Sequence, residues 1–179
     1  TLPRFPGFAM KICRGFFWYY FEPNTAPGPF VREDVADPCR PVRFNEDNGW
    51  LIRFYYYRRR ISLEVFHALA DGAGALTFFR NLLAEYLRQR GVDVPPGEGI
   101  ADLDEPPPAA EREDAYLRYA GPASRALPRI PRAYQNRGTP EPFYTFHVTM
   151  GFLSVSALRE KARSYGASIT EYLAAVLLK

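Results

Sequence analysis

The sequence predicts a mixed α/β chain, a largely antiparallel sheet with helices packed on it. Two patterns carry this. β-prone runs come in pairs around short turns, and after residue 73 the apolar spacing changes from two to three and four. At 179 residues, 47% of them apolar, the chain has material for one domain with a substantial core.

FAMKICR (8–14) and FFWYYFE (16–22) predict a tight hairpin around Gly15, with Phe8, Met10 and Ile12 on one face of its first strand. The second strand is aromatic on both faces, so it should be covered on both or border a groove. Residues 23–49, rich in Pro, Asn, Asp and Gly, read as loop with a short strand at 41–44. WLIRFYYYR (50–58) and RISLEVF (60–66) are the next two strands; Ile61, Leu63 and Val65 alternate with Ser62 and Glu64. The basic triplet Arg58 to Arg60 at their junction reads as a solvated turn rather than a phosphate or nucleic-acid site.

From Ala73 the pattern is helical, with Leu76, Phe79, Leu82, Leu83, Tyr86 and Leu87 forming one apolar stripe. Arg88 and Arg90 suit the negative end of the dipole, and Gly91 suits the position just past it. Residues 92–114 are acidic and proline-rich, which predicts an exposed or mobile connection. A short helix at 115–119 precedes a second loop or linker segment, 120–142. FYTFHVTMGFLSV (143–155) predicts a long strand with Phe146, Val148, Met150 and Phe152 on one face. Ser156 is placed to cap a helix through Tyr165, stopped by Gly166. Ser168 opens another, with Glu171 at the capping-box spacing.

Composition narrows the function. A formal charge of +3 does not argue for nucleic acid. No apolar run approaches the roughly 18 residues that suggest a membrane span. The opening TLPRFPGF has prolines where a signal peptide would have its apolar region, so a cytoplasmic location is expected. Without an initiator Met, and stopping within the apolar ITEYLAAVLLK, the sequence reads as a fragment or one half of a larger protein. Cys13 and Cys39 lack metal-ligand spacing. One disulfide between them is possible, although two cysteines in this length fit reduced cytosolic thiols better.

The chemistry concentrates in VFHALADGAGAL (65–76), which holds one of the two histidines. His67 ends a strand and a helix follows, so its side chain stands at a sheet edge on a rigid frame. Gly72 is expected to let the backbone turn sharply. Asp71 stands where a carboxylate caps a helix. The small residues Ala68, Ala70, Ala73, Gly74 and Ala75 leave room for a ligand. Imidazole is mostly neutral at neutral pH, as a general base must be. Asp71 either orients His67, as in a triad, or pairs with a distant Arg and holds the loop; its position as a cap favours the second role. By local physics alone, a functional site and a plain turn weigh equally. The other histidine, His147, shares a strand face with Thr145 and Thr149 and reads as structural. No ligand cluster accompanies either histidine, so no metal site is expected.

HALADG resembles the HxxxDG signature of acyltransferases with the chloramphenicol acetyltransferase-like fold. That superfamily includes condensation domains of peptide synthetases, polyketide-associated acyltransferases, wax ester synthases and alcohol acetyltransferases. ISLEVFHALADGAGALTFFRNLLAEYL is similar over the whole strand–loop–helix unit. LPRFPGFAMKI resembles the end of the first helix and the next strand, and HVTMGFLSVSALREKARSYGASITEYLAAVLL the elements leading out of the N-terminal half. The likeness is strongest to bacterial alcohol acetyltransferase-like members.

The resemblance implies that His67 is the general base, that Asp71 is a brace held by a salt bridge, and that Gly72 completes the motif. The family's first histidine is Phe66 here, which weakens assignment to the condensation branch. No stretch matches the DFGWG-like motif of the second half. The resemblance thus implies that 1–179 is a single N-terminal half-domain, with the C-terminal half absent. It further implies no tightly bound cofactor, an acyl-CoA or acyl carrier protein thioester as co-substrate, and a small alcohol or amine as acceptor. A rival reading is a catalytically inactive, condensation-like binding or interaction module.

Overall fold

The computed structural model describes residues 1–34, 39–113, 118–121, 132–135, 138–143, 145 and 148–178. The chain divides into two compact units, Thr1–Ala123 and Ser124–Lys179. It is mixed α/β, with both helices and sheets.

Unit 1 opens with two single 3-10 turns, Leu2–Arg4 and Pro6–Phe8, each with a proline in its first two positions. Proline's fixed φ suits a helical start, where its missing N–H leaves no bond unmade. Phe8 therefore lies in a helical turn, not on the strand face expected for it, and β1 (Met10–Arg14) begins two residues later. β1 pairs antiparallel with β2 (Tyr19–Pro23), Met10 opposite Pro23 and Arg14 opposite Tyr19. The hairpin turns through residues 15–18, where the Gly15 N–H donates to the Trp18 carbonyl at 2.7 Å.

A second sheet has the order β3 (Val31–Glu33), β4 (Ile52–Tyr57), β5 (Arg60–Val65). β3 runs parallel to β4, and β4 antiparallel to β5. The strand expected at 41–44 is not formed, because 31–33 takes the edge of β4 instead, Val31 opposite Phe54. Side chains hold the neighbouring loop in its place. The Arg53 guanidinium donates to the carbonyls of Arg40 at 3.0 Å and Pro41 at 3.1 Å, and Asp47 pairs with both Arg32 and Arg53. In the β4–β5 hairpin Tyr57 faces Arg60. Arg58 and Arg59 are thus an exposed two-residue turn, Arg58 at a φ of 51°, while Arg60 pairs with Asp34 at 2.8 Å.

The helix expected after Ala73 is α1 (Gly72–Gln89). Gly91, at a φ of 83°, ends it. The Gly91 N–H donates to the Arg88 carbonyl at 2.9 Å and the Val92 N–H to the Leu87 carbonyl at 3.0 Å, a Schellman motif. Its buried line is Phe78, Asn81 and Ala84. The expected stripe is displaced from this line, and Leu76, Tyr86 and Leu87 are exposed. Phe78 is fully buried in a core with Phe8, Trp50 and Ile52. Its ring stacks on Phe8 (4.3 Å between centroids, 15°) and takes Phe5 edge-on at 5.7 Å. Asn81 earns its buried place by clamping residues 99–101. Its Nδ2 donates to the carbonyls of Thr77 (2.9 Å) and Gly99 (3.2 Å), and its Oδ1 accepts from the Ala101 N–H at 2.7 Å.

The first half of the 92–114 connection is therefore fastened to α1 rather than free, with Arg88 Nε also donating to the Val94 carbonyl at 2.8 Å. Farther on, α2 (Ala109–Arg112) brings Glu111 to Arg4, whose Nη1 and Nη2 donate to the carboxylate at 2.6 and 3.1 Å. This bond to the guanidinium holds the Glu111 carboxyl below its ordinary range. Of the helix expected at 115–119, only Arg118 and Tyr119 are among the described residues, and both are helical.

Unit 2 contains α3 (Val155–Ser164) and α4 (Ile169–Leu177). Ser154, not Ser156, caps α3, its Oγ accepting from the Ala157 N–H at 3.4 Å. The Ser156 hydroxyl instead meets Ser154 Oγ at 2.9 Å. A second Schellman motif at Gly166 (φ 65°) ends α3, and Ser168 and Glu171 form the expected capping box of α4. None of the described residues of 143–155 belongs to a strand, and Met150 and Phe152 are exposed. Alternation makes a strand only where another edge accepts its N–H and C=O groups, and no described strand pairs with this segment.

Candidate functional site

The last ladder-like bond of β5 comes one residue past the strand, from the Phe66 N–H to the Leu51 carbonyl at 2.9 Å. The chain then turns at once, as the Leu69 N–H donates to the Phe66 carbonyl at 2.9 Å. His67 is the first residue inside this turn, so its side chain is exposed while its backbone is fixed by the sheet. Leu63, Val65 and His67 alternate onto the same face. Phe66 points elsewhere and packs edge-on against Phe44 at 5.6 Å between ring centroids. At the position of the family's first histidine, this chain thus has a packing residue.

Asp71 closes the loop with extended backbone (φ −75°, ψ 179°) and caps α1. Its Oδ1 accepts from the Gly74 N–H at 2.8 Å, and its carbonyl accepts the first helical bond from Ala75 at 3.0 Å. The geometry of Asp71 is that of a helix cap at the end of the loop. Among the described residues no side chain hydrogen-bonds or pairs with His67, and Asp71 has no cationic partner. The salt bridge implied by the resemblance is therefore not formed among them.

Gly72 differs from its expected role. Its backbone is not in the left-handed region, it is the first residue of α1, and a Cβ there would meet nothing within 4 Å. The glycine under constraint is Gly74. A Cβ at Gly74 would come within 3.3 Å of both the Ala70 Cβ and the capping Oδ1 of Asp71. A side chain at Gly74 would therefore be crowded, and the loop or the helix would have to give by a few tenths of an ångström.

A groove of about 360 Å³ opens beside His67. β5 and its turn supply Leu63, Val65 and His67, the loop supplies Ala70, Asp71 and Gly72, and α1 supplies Ala75, Leu76 and Phe79. Leu76 and Phe79 belong to the apolar stripe read from the sequence. They went unrecognised as site residues because periodicity marks an apolar face without saying what covers it. The three residues of the HxxxDG motif all lie on this groove, His67 and Asp71 being its polar end. The open form suits a wall of a binding site rather than an enclosed one.

His147 falls outside the described residues. Cys13 and Cys39 are free thiols; burial, then a bond from Sγ to Glu22 Oε2 at 3.3 Å, raises the Cys13 thiol above its ordinary range. Among the described residues no three His, Cys, Asp or Glu side chains gather as a metal-ligand set, and no helix is long and apolar enough to cross a membrane. Comparison of the chain with protein-family models, curated proteins and solved structures finds no match.

Proposed function

We propose that the chain is half of an acyltransferase of the chloramphenicol acetyltransferase-like superfamily, with His67 as its general base. The observation that carries the reading is the placement of one exposed imidazole at the polar end of an apolar groove, on a turn fixed by the sheet and by a capped helix. In this reading an acyl-CoA or acyl carrier protein thioester donates to an alcohol or amine. His67 removes the acceptor's proton as its oxygen or nitrogen attacks the thioester carbonyl. The thiolate leaves and takes up a proton, with no covalent acyl-enzyme. Asp71 positions the loop and carries no proton. In this reading the second wall and much of the donor site belong to the other half.

The test is thiol release from acyl-CoA with candidate alcohols, using the full-length gene product. Replacing the base, His67→Ala, is expected to lower the rate about 10²- to 10⁴-fold. A wild-type rate in this variant removes the mechanism. The rival, a binding module without turnover, draws on the absence of a described partner to orient the imidazole. Ligand binding that survives His67→Ala, with no thiol release from the wild type, selects it.

A further inference from the structure

We infer that unit 1 holds a second ligand site, on the side of α1 turned away from His67, which binds a short-chain carboxylate at Arg4 in the place that the chain's own Glu111 takes here. A pocket of about 270 Å³ lies where the first 3-10 turn, α1, residues 97–101 and α2 meet. Arg4, Phe5, Thr77, Asn81, Ile100 and Glu111 are among its lining residues. At about 100° per residue, Thr77 and Asn81 stand roughly opposite Leu76 and Phe79 on the helix, and this pocket shares no residue with the groove beside His67.

Arg4 is the only charged side chain that is buried among the described residues, at 9% exposure, and its Nε finds no acceptor among them. A buried guanidinium, a donor on every nitrogen, requires an anion. The anion it has comes from a lightly held element. α2 is a single turn behind Pro106, Pro107 and Pro108 with no side-chain cap, and the Glu111 side chain is 49% exposed. Among the described residues, the two bonds to Arg4 are the only side-chain hydrogen bonds that α2 makes. They engage both carboxylate oxygens from Nη1 and Nη2, a fork that a ligand's carboxylate can take over. The facing wall is fixed and satisfied. Asn81 has both amide hydrogens and its oxygen engaged, and the Thr77 hydroxyl donates to the Ala73 carbonyl at 2.9 Å. The guanidinium is therefore the donor left to select a ligand, and it selects an anion. Glu105 adds a second negative charge near Arg4, so a monoanion is favoured over a dianion such as phosphate. Phe5 and Ile100 offer apolar surface to its tail.

The experiment titrates the full 179-residue chain with hexanoate, 1-hexanol and phosphate, read by heteronuclear NMR at the Gly99 and Ala101 amides and the Arg4 Nε–H. While Glu111 holds the guanidinium, apparent affinity is reduced to the fraction of chains that have released it. Glu111→Gln, at a half-exposed position, removes the competing charge and is expected to tighten hexanoate about tenfold. In that variant 1-hexanol and phosphate should bind about tenfold more weakly than hexanoate. Arg4→Met should abolish the response. If it unfolds the chain, as read by far-ultraviolet circular dichroism, Arg4→Lys, which keeps the charge without the fork, should weaken hexanoate about tenfold. Leu76→Ser, on the groove beside His67, should leave hexanoate binding unchanged. The proposal is overturned if hexanoate leaves the Gly99 and Ala101 amides unmoved in Glu111→Gln, or if Glu111→Gln binds it no more tightly than the wild type. It is equally overturned if 1-hexanol or phosphate binds as tightly as hexanoate, or if Leu76→Ser removes the response.

Discussion

Asp71 is the residue on which the site's stability and its geometry meet. One oxygen satisfies an otherwise orphaned N–H of α1, and the same bond sets where the loop carrying His67 ends. Asp71→Ala is expected to cost about 1 kcal/mol, whereas Asp71→Asn, whose amide oxygen caps as well, should cost little. Thermal melting of the two variants checks this; equal melting temperatures for Asp71→Ala and wild type would remove the structural role. The cap was legible because capping is local chemistry, readable from one carboxylate before a helical pattern. The glycine was not. Which of Gly72 and Gly74 is the crowded one depends on where the Ala70 Cβ lies, and that distance is set by the packing of loop against helix.

Among the elements, both helix stops were legible for the same reason, since Gly91 and Gly166 stand where left-handed backbone is needed. The side of α1 that is buried was not. A stripe chosen for apolarity passes over Asn81, and its amide is buried only because residues 99–101 return to bond with it. α4 yields a pH prediction. The Ser168 backbone N–H donates to Glu171 Oε2 at 2.7 Å, and this bond first, with the serine hydroxyl second, holds the Glu171 carboxyl below its ordinary range. A depressed folded-state value means that the contribution is complete above the carboxyl's unfolded value and disappears as pH falls through the folded one. Acid titration followed by circular dichroism should show α4 losing helicity in that window. In Glu171→Gln, which cannot ionise, this pH-dependent loss should be absent.

On the scale of the whole molecule, the paired strands at 52–57 and 60–65 were legible because a two-residue turn joins them, whereas β3 was not, since nothing in its own residues marks it as the partner of β4. The segment 143–155 shows the converse, an alternating pattern that pairs with no described strand. Unit 1 depends on the ring of Phe78, wedged between Phe8 and Phe5 beneath the sheet. Phe78→Ala is expected to cost about 3–5 kcal/mol, much of the stability of an ordinary domain, measurable as a fall in urea midpoint. A loss under 1 kcal/mol would mean that the core is organised around some other residue. Trp50 shares that core, 4% exposed with its indole N–H on the Pro27 carbonyl at 2.7 Å, while Trp18, the chain's other tryptophan, is 61% exposed. The two indoles therefore differ optically. A water-borne quencher such as iodide extinguishes Trp18 first, and the light that remains comes from inside the sheet–helix core. The chain thereby carries its own fluorophore for the state of the scaffold that holds His67.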